Sequence, residues 1–338
     1  MTAAGISARE RRLAGRFGRV TLAVAGDLIA DEFIYGRVDR VSREAPVLIL
    51  RYDSTEIVPG GAGNAACNAH ALGARVAVAG VIGRDEAGRR LEAALPARMS
   101  RAGIVRASGY VTPVKTRILA GGVHSAKQQV VRIDRAGTDP GRAAVRQFEA
   151  ALANVIRRAD AVILSDYGTG LLTPDRWADA VVSSRRRPPL VFVDSRYQLD
   201  GFEGITACTP NESEVEALLG IQINDDTRVL EAAGRELLAR LGCRAVLITR
   251  GGRGMALFEP GQPTDHIPIV GSDEIADVTG AGDTVIAAFA LAVAAGGTFG
   301  EAARLANRAG GVVVMKRGTA TVSAQELTAS RAPRGAGA

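Results

Sequence analysis

The run Asp277-Val278-Thr279-Gly280-Ala281-Gly282-Asp283 stands directly before a long apolar segment and combines small residues with two carboxylates. Small residues at a loop-to-helix junction leave backbone N–H groups free, and the helix dipole adds positive potential there. Such a turn holds a phosphate or an oxyanion. Asp283 has one explanation as a helix-stabilising acid in the first turn. A carboxylate beside an anion site is awkward for binding alone, however. It makes sense as a base that takes a proton from an alcohol attacking a phosphoryl group.

A second cluster, Gly60-Gly61-Ala62-Gly63-Asn64, opens another helical stretch. Glycines let a ligand approach the backbone closely, and Asn64 both donates and accepts hydrogen bonds. No G-K-[ST] follows, so this is not a P-loop. The first strand ends in Gly26-Asp27-Leu28-Ile29-Ala30-Asp31, which is not the dinucleotide fingerprint. Asp27 and Asp31 past that strand suit a polyol, whose paired hydroxyls donate to carboxylates; loop solvation is the plainer alternative. Thr209-Pro210-Asn211-Glu212-Ser213-Glu214 reads either as an N-cap with first-turn acids or as an organiser of Mg²⁺ and its waters. Sequence physics favours the cap. Thr249-Arg250-Gly251-Gly252-Arg253-Gly254 is a turn or a nucleotide-edge loop, and His70, inside a helix, reads as a packed side chain.

The 338 residues that must position these groups are 47% hydrophobic and 23% charged, a globular balance for one large or two modest domains. Cys67, Cys208 and Cys243 form no C-x-x-C pair, and with three scattered histidines no zinc spacing exists. A reduced, cytoplasmic protein fits. The formal net charge of +6 collects at the ends: Arg9, Arg11, Arg12, Arg16 and Arg19 face only Glu10 in residues 1–19, and Arg331 and Arg334 lie in the tail. No Arg/aromatic stripe supports nucleic-acid binding. The uncharged run Thr284–Gly300 is shorter than the ~20 residues of a spanning helix, and the N-terminus lacks the apolar core of a secretory signal, so no membrane partner is expected.

Apolar runs predict strands at Val20–Gly26, Arg75–Val81, Asp160–Ser165, Leu190–Asp194 and Arg244–Thr249. Amphipathic stretches predict helices at Ala62–Leu72, Asp85–Met99, Arg142–Arg158, Pro174–Ser184, Asn211–Leu219, Thr227–Leu241, Gly280–Ala295 and Glu301–Met315. Strands apolar on both faces, alternating with helices, imply an α/β fold with a mostly parallel sheet covered on both sides. Asp31–Val58 and Pro113–Arg135 break the rhythm as polar-alternating extended segments and predict a small β lid. The domain is expected to span 20–328, after a basic N-terminal segment 1–19 and before a disordered tail 329–338.

In this order the motifs resemble the ribokinase-like PfkB family of carbohydrate kinases, from about Val20 to Val322. Gly60-Gly61-x-Gly63-Asn64 with Gly73 and Gly83 resembles the N-terminal motif, and Asp277 to Asp283 the C-terminal one. Within that family, five stretches resemble the D-glycero-β-D-manno-heptose 7-phosphate kinases of ADP-heptose synthesis. They are Val41–Val47, Lys115-Thr116-Arg117, Gln128–Asp134, Leu164–Gly170 and Thr209–Glu212. Where those kinases read Asp-Pro-Lys-Gly, this chain has Asp194-Ser195-Arg196-Tyr197.

The resemblance implies a Rossmann-like α/β domain with a β lid, and phosphoryl transfer from ATP to the anomeric hydroxyl of a phosphosugar. It implies a kinase-only form, since few residues follow Val322. Asp283 resembles the general base, with Gly280, Ala281 and Gly282 as the anion hole. Asp27, Asp31, Gly60, Gly61 and Asn64 match sugar contacts, and Lys115, Arg117, Arg132 and Arg196 are cations suited to a substrate phosphate. Asn211 and Glu214 match an Asn-x-x-Glu motif, with Glu214 reaching Mg²⁺ through water. Thr249, Gly251, Gly254 and Asn307 fall where the nucleotide is held, and Asp277 and Thr279 where relatives bind a monovalent cation such as K⁺. A homodimer through the lid is also implied. Another sugar or sugar-phosphate kinase, or a non-catalytic sugar- or nucleotide-binding regulator, stays open at this point.

Overall fold

The structure, a computed structural model, describes residues 5–121, 127–184, 190–270 and 277–329. Apart from Ala329, the tail 329–338 lies outside them. Numbered in chain order, the larger sheet runs β13 (Asp265–Ile267), β12 (Met255–Phe258), β11 (Ala245–Thr249), β10 (Ala207–Cys208), β9 (Leu190–Ser195), β8 (Ala161–Asp166), β1 (Thr21–Gly26), β4 (Arg75–Gly83) and β5 (Ser100–Ala107). From β11 to β5 every neighbouring pair is parallel; β12 and β13 turn antiparallel at one edge.

Alternation along each central strand feeds two cores. In β1, Leu22 and Val24 face one layer while Ala23 and Ala25 face the other; Ile163 and Leu164 divide likewise in β8. The first layer holds α1 (Ala8–Ala14), α2 (Ala62–Ala71), α3 (Glu86–Ala94), α8 (Ala281–Ala294), α9 (Phe299–Val313) and α10 (Ala324–Thr328). The second holds α4 (Gly141–Ile156), α5 (Pro174–Ser184), α6 (Glu212–Leu219) and α7 (Thr227–Leu241). Helix α8 is hydrophobic nearly all round and buried, with Val285 to Ala292 wholly inside.

The smaller sheet has the order β3 (Leu48–Gly61), β2 (Leu28–Val41), β6 (Val114–Gly121), β7 (Gln128–Arg135). Its roots are buried against the main body, whereas β7 is exposed throughout. Strands β2 and β6 run parallel, in a register that pairs Asp31 with Lys115 and Phe33 with Arg117. Across the antiparallel β6–β7 pair, Lys115 meets Asp134 and Arg117 meets Arg132. Paired residues share a face, so these cations and Asp31 share one surface of the sheet.

Three local expectations change. Helix α3 stops at Ala94 rather than Met99, because Leu95 precedes Pro96 and takes an extended ψ of 141°. Residues 5–19 of the basic N-terminal segment join the body: Ser7 and Glu10 form a capping box for α1, and Leu13, Ala14 and Phe17 enter the core. Strands β5, β12 and β13, lacking a long apolar run, were not predicted from periodicity. Among the described residues no helix is long and apolar enough to cross a membrane.

Candidate active site

Strands β1 and β8 lie side by side, but the chain leaves them toward opposite edges of the sheet. This is the topological switch point, where a crevice opens past the carboxyl ends of the strands. Loops after β1, β8, β9 and β10 bring Asp27, Tyr167, Arg196 and Asn211 to it, and the last residue of β11 brings Thr249.

The N-terminus of α8 closes the crevice. Gly280 caps it at φ +74°, and a Cβ there would fall 2.3 Å from Asn64 Nδ2, so only glycine fits. One turn on, Asp283 is buried. Asn64 Nδ2 donates to its Oδ2 at 2.8 Å, and the Tyr167 hydroxyl donates to its Oδ1 at 3.0 Å. Burial pushes the Asp283 carboxyl up to about 7, with nearby Asp31 adding to the rise; the two donors and Arg196 oppose it. A carboxyl near neutrality is tuned for proton transfer.

Helix α2 begins at Gly61, whose φ of +56° and close approach to the Asp27 carbonyl admit no side chain. It delivers Asn64 to α8, where Nδ2 also reaches the Gly280 carbonyl at 3.3 Å. Asn68, one turn later, donates to Asn64 Oδ1 at 3.0 Å and so fixes the amide's orientation. The expected sugar contacts are thus partly occupied within the protein. Asn64 orients Asp283. Asp27 accepts the N–H groups of Tyr167 (2.8 Å) and Thr169 (3.2 Å) together with the Thr169 hydroxyl, and burial raises its carboxyl.

The cations divide into two sets. Arg117 makes a buried ion pair with Asp31 at 2.6 Å, and Thr319 also donates to Asp31 at 3.2 Å. Arg132 forms a two-pronged, half-exposed pair with Asp134, 2.9 Å at each contact. Lys115 and Arg196, by contrast, have no ion pair among the described residues and lie over the Tyr167 ring, at 4.7 and 4.4 Å from its centre. Burial and the neighbouring Arg196 lower the Lys115 ammonium, and Asp31 and Asp134 oppose that shift only in part.

A cavity of about 150 Å³ extends from the other side of the α8 N-terminus, lined by Thr249, Gly251, Gly254, Ala281, Gly282 and Asn307 among others. All four residues expected at the nucleotide meet there, with two of the anion-hole residues. Asn307 Nδ2 donates to the Pro268 carbonyl at 2.7 Å. Asn211 and Glu214 form a reciprocal capping box on α6, both bonds 2.9 Å, as the helix-cap reading requires. Burial raises the Glu214 carboxyl, and burial with Glu214 and Asp283 nearby raises Asp194 well above its ordinary value.

This excess of negative charge suits a divalent cation. No cluster of three or more His, Cys, Asp or Glu side chains that could hold a metal ion exists among the described residues. Asp277 accepts the N–H groups of Thr279 (2.9 Å) and Gly318 (3.0 Å), tying two loops together beside α8.

Sequence reasoning assigned no role to Tyr167, Asn68, Asp194 or Thr319. The Asn64/Asn68 spacing of four in an otherwise alanine-rich helix was a readable signal. Nothing local marked Thr319, which reaches Asp31 from 288 residues away.

A glycine-capped helix N-terminus with a buried carboxyl, a cavity beside it and a small sheet bearing cations are the parts a carbohydrate kinase needs. The sequence pattern of the pfkB family carbohydrate kinases matches residues 23–173 and 175–326, and the chain belongs to that family. It is 41% identical over 317 residues to the Bifunctional protein HldE of Caulobacter vibrioides, covering 93% of this chain and 64% of that protein. To HldE of Geobacter sulfurreducens it is 42% identical over 316 residues, covering 93% and 63%. The chain therefore spans somewhat under two thirds of these relatives. The fold is shared with Arabidopsis thaliana ribokinase complexed with ribose and ATP (TM-score 0.70, 19% identity, 91% of this chain and 97% of that one). It is likewise shared with phosphofructokinase-2 from Escherichia coli in complex with potassium (TM-score 0.73, 18% identity, 91% and 97%).

Proposed function

We propose that the protein transfers the γ-phosphoryl group of ATP to the anomeric hydroxyl of D-glycero-β-D-manno-heptose 7-phosphate. The product would be the 1,7-bisphosphate used for ADP-heptose. One observation carries the reading: Asp283 lies at the α8 terminus shared by the nucleotide cavity and, through Tyr167, the unpaired Lys115 and Arg196. The base removes the hydroxyl proton as the sugar oxygen bonds the γ-phosphorus. The bond from phosphorus to the bridging oxygen then breaks, and ADP leaves. The N–H groups of Gly280 and Gly282 hold the charge on the transferring group, with Ala281, whose N–H donates to the Val278 carbonyl at 3.2 Å, between them.

Lys115 and Arg196 take the sugar's phosphate, since Arg117 and Arg132 are spent on internal carboxylates. Asp27, Asp31, Gly60, Gly61 and Asn64 frame the sugar beneath the small sheet, which acts as a lid. Mg²⁺, held by water on Glu214 and by the phosphates, supplies charge neutralisation. A monovalent cation such as K⁺ sits by Asp277 and Thr279; the Asp277 charge meets no cationic side chain among the described residues. Three free, buried cysteines suit the reducing cytoplasm.

The test is a phosphoryl-transfer screen of phosphorylated and free sugars with ATP. Heptose 7-phosphate should exceed its dephosphorylated analogue by about 10²-fold in kcat/KM, the worth of a charge-assisted phosphate contact. Equal turnover of the two would replace this assignment with a free-sugar kinase.

A further inference from the structure

Tyr167 touches four functional groups at once. Its N–H donates to Asp27 at 2.8 Å, its hydroxyl to Asp283 at 3.0 Å, and its ring lies against Lys115 and Arg196. The backbone bond fixes the start of the side chain, and the two cations hold the ring plane. The hydroxyl is thereby aimed at one carboxylate oxygen.

We propose that Tyr167 is the positioning residue of the catalytic base: its hydroxyl, pinned from three sides, orients the Asp283 carboxylate and favours its ionised form. The inference rests on the reading of Asp283 as the base of a sugar kinase, but on no particular sugar. Asn64 serves Oδ2 from α2, and Tyr167 serves Oδ1 from the loop after β8. Each oxygen keeps a lone pair for a substrate hydroxyl. A donor to the ionised form offsets the burial that disfavours it.

The other charged and titratable groups around Asp283 are Asp31 on β2, Asp194 on β9 and Arg196 after β9. The two acids oppose ionisation and Arg196 supports it, so Tyr167 and Asn64 supply the directed hydrogen bonds. The phenol itself is held well above its ordinary range by burial and by Asp283 and Asp194, so it stays a donor across the working pH. Phenylalanine would keep the ring and its cation contacts while deleting only the donor.

The experiment compares Tyr167→Phe with the parent in kcat against pH, and in a carbon-13 NMR titration of the Asp283 carboxyl, assigned through Asp283→Asn. Loss of the donor should raise the carboxyl pKa, and the acid limb of the profile with it, by about one to two. Turnover at pH 7 should fall about five- to fiftyfold and recover as the pH rises. A profile superimposable on the parent's, or a loss equal at every pH, would overturn the role. An unshifted Asp283 carboxyl would overturn it too. The titration needs no substrate: a carboxyl that shifts in a protein turning over no sugar would sink the kinase reading and leave this contact standing.

Discussion

Asp283 carries two opposing demands, and its energetics show the conflict. Its carboxyl rises from 3.8 to about 7 on folding, chiefly through burial. Between those values the folded state binds a proton that the unfolded state has lost, so this group's contribution to stability falls as pH rises through that window. Above about pH 7 a buried charge remains, at a net cost. Asp283→Asn should therefore be more stable than the parent at pH 8 by about 1–3 kcal/mol, with the difference closing near pH 4. The same variant should lose at least ~10²-fold in turnover while still binding ATP. Thermal unfolding at the two pH values, with a turnover assay and ATP titration, checks all three. The four cations differ in the same residue-by-residue way. Lys115→Ala should raise the phosphosugar KM about ten- to a hundredfold with little change for ATP. Arg132→Ala, whose partner is Asp134, should leave that KM within about threefold, because a half-exposed pair contributes little. Steady-state kinetics with both substrates distinguishes them.

Inside the small sheet one buried ion pair joins β6 to β2. Arg117 on β6 and Asp31 on β2 are both buried, and Thr319 reaches the same carboxylate from the chain following α9. Removing one partner leaves the other charge buried and unpaired. Arg117→Ala should thus cost about 3–5 kcal/mol in urea unfolding, against about 1 kcal/mol or less for Arg132→Ala on the neighbouring strand. Equal costs would mean that the buried pair is not what holds β6 to β2. The α2–α8 contact makes a comparable demand at Gly280, where an added methyl would push Asn64 off the base. Gly280→Ala should lower kcat more than it raises KM for ATP, measurable in the same assay.

At the scale of the molecule, the outer part of the small sheet exposes Val38, Tyr52, Val130, Val131 and Ile133. Of these, Val130, Val131 and Ile133 lie on the edge strand β7, which is open to pairing with another strand unless covered. The proposed cover is the same sheet of a second copy. Light scattering at micromolar concentration should report a dimer, and Ile133→Glu a monomer that remains folded by circular dichroism. A monomeric parent would end that proposal.

Much of this protein was legible without coordinates because its signals are local. Both-face apolar runs identify the parallel strands, and the small residues before α8 and α2 mark the two turns by their lack of side chains. Thr249, Gly251, Gly254 and Asn307, which the family resemblance implies at the nucleotide, converge on one cavity. What sequence could not resolve was the competition among side chains for partners. Arg117, Arg132, Lys115 and Arg196 look alike along the chain, yet two are neutralised by carboxylates and two are not. Tyr167 is one residue in a loop until folding places it against Asp27, Asp283, Lys115 and Arg196. Hydrogen bonds and ion pairs are short-ranged and directional, so the partner that answers each charge depends on distant contacts such as Thr319 to Asp31, 288 residues apart, and only the tertiary structure decides it.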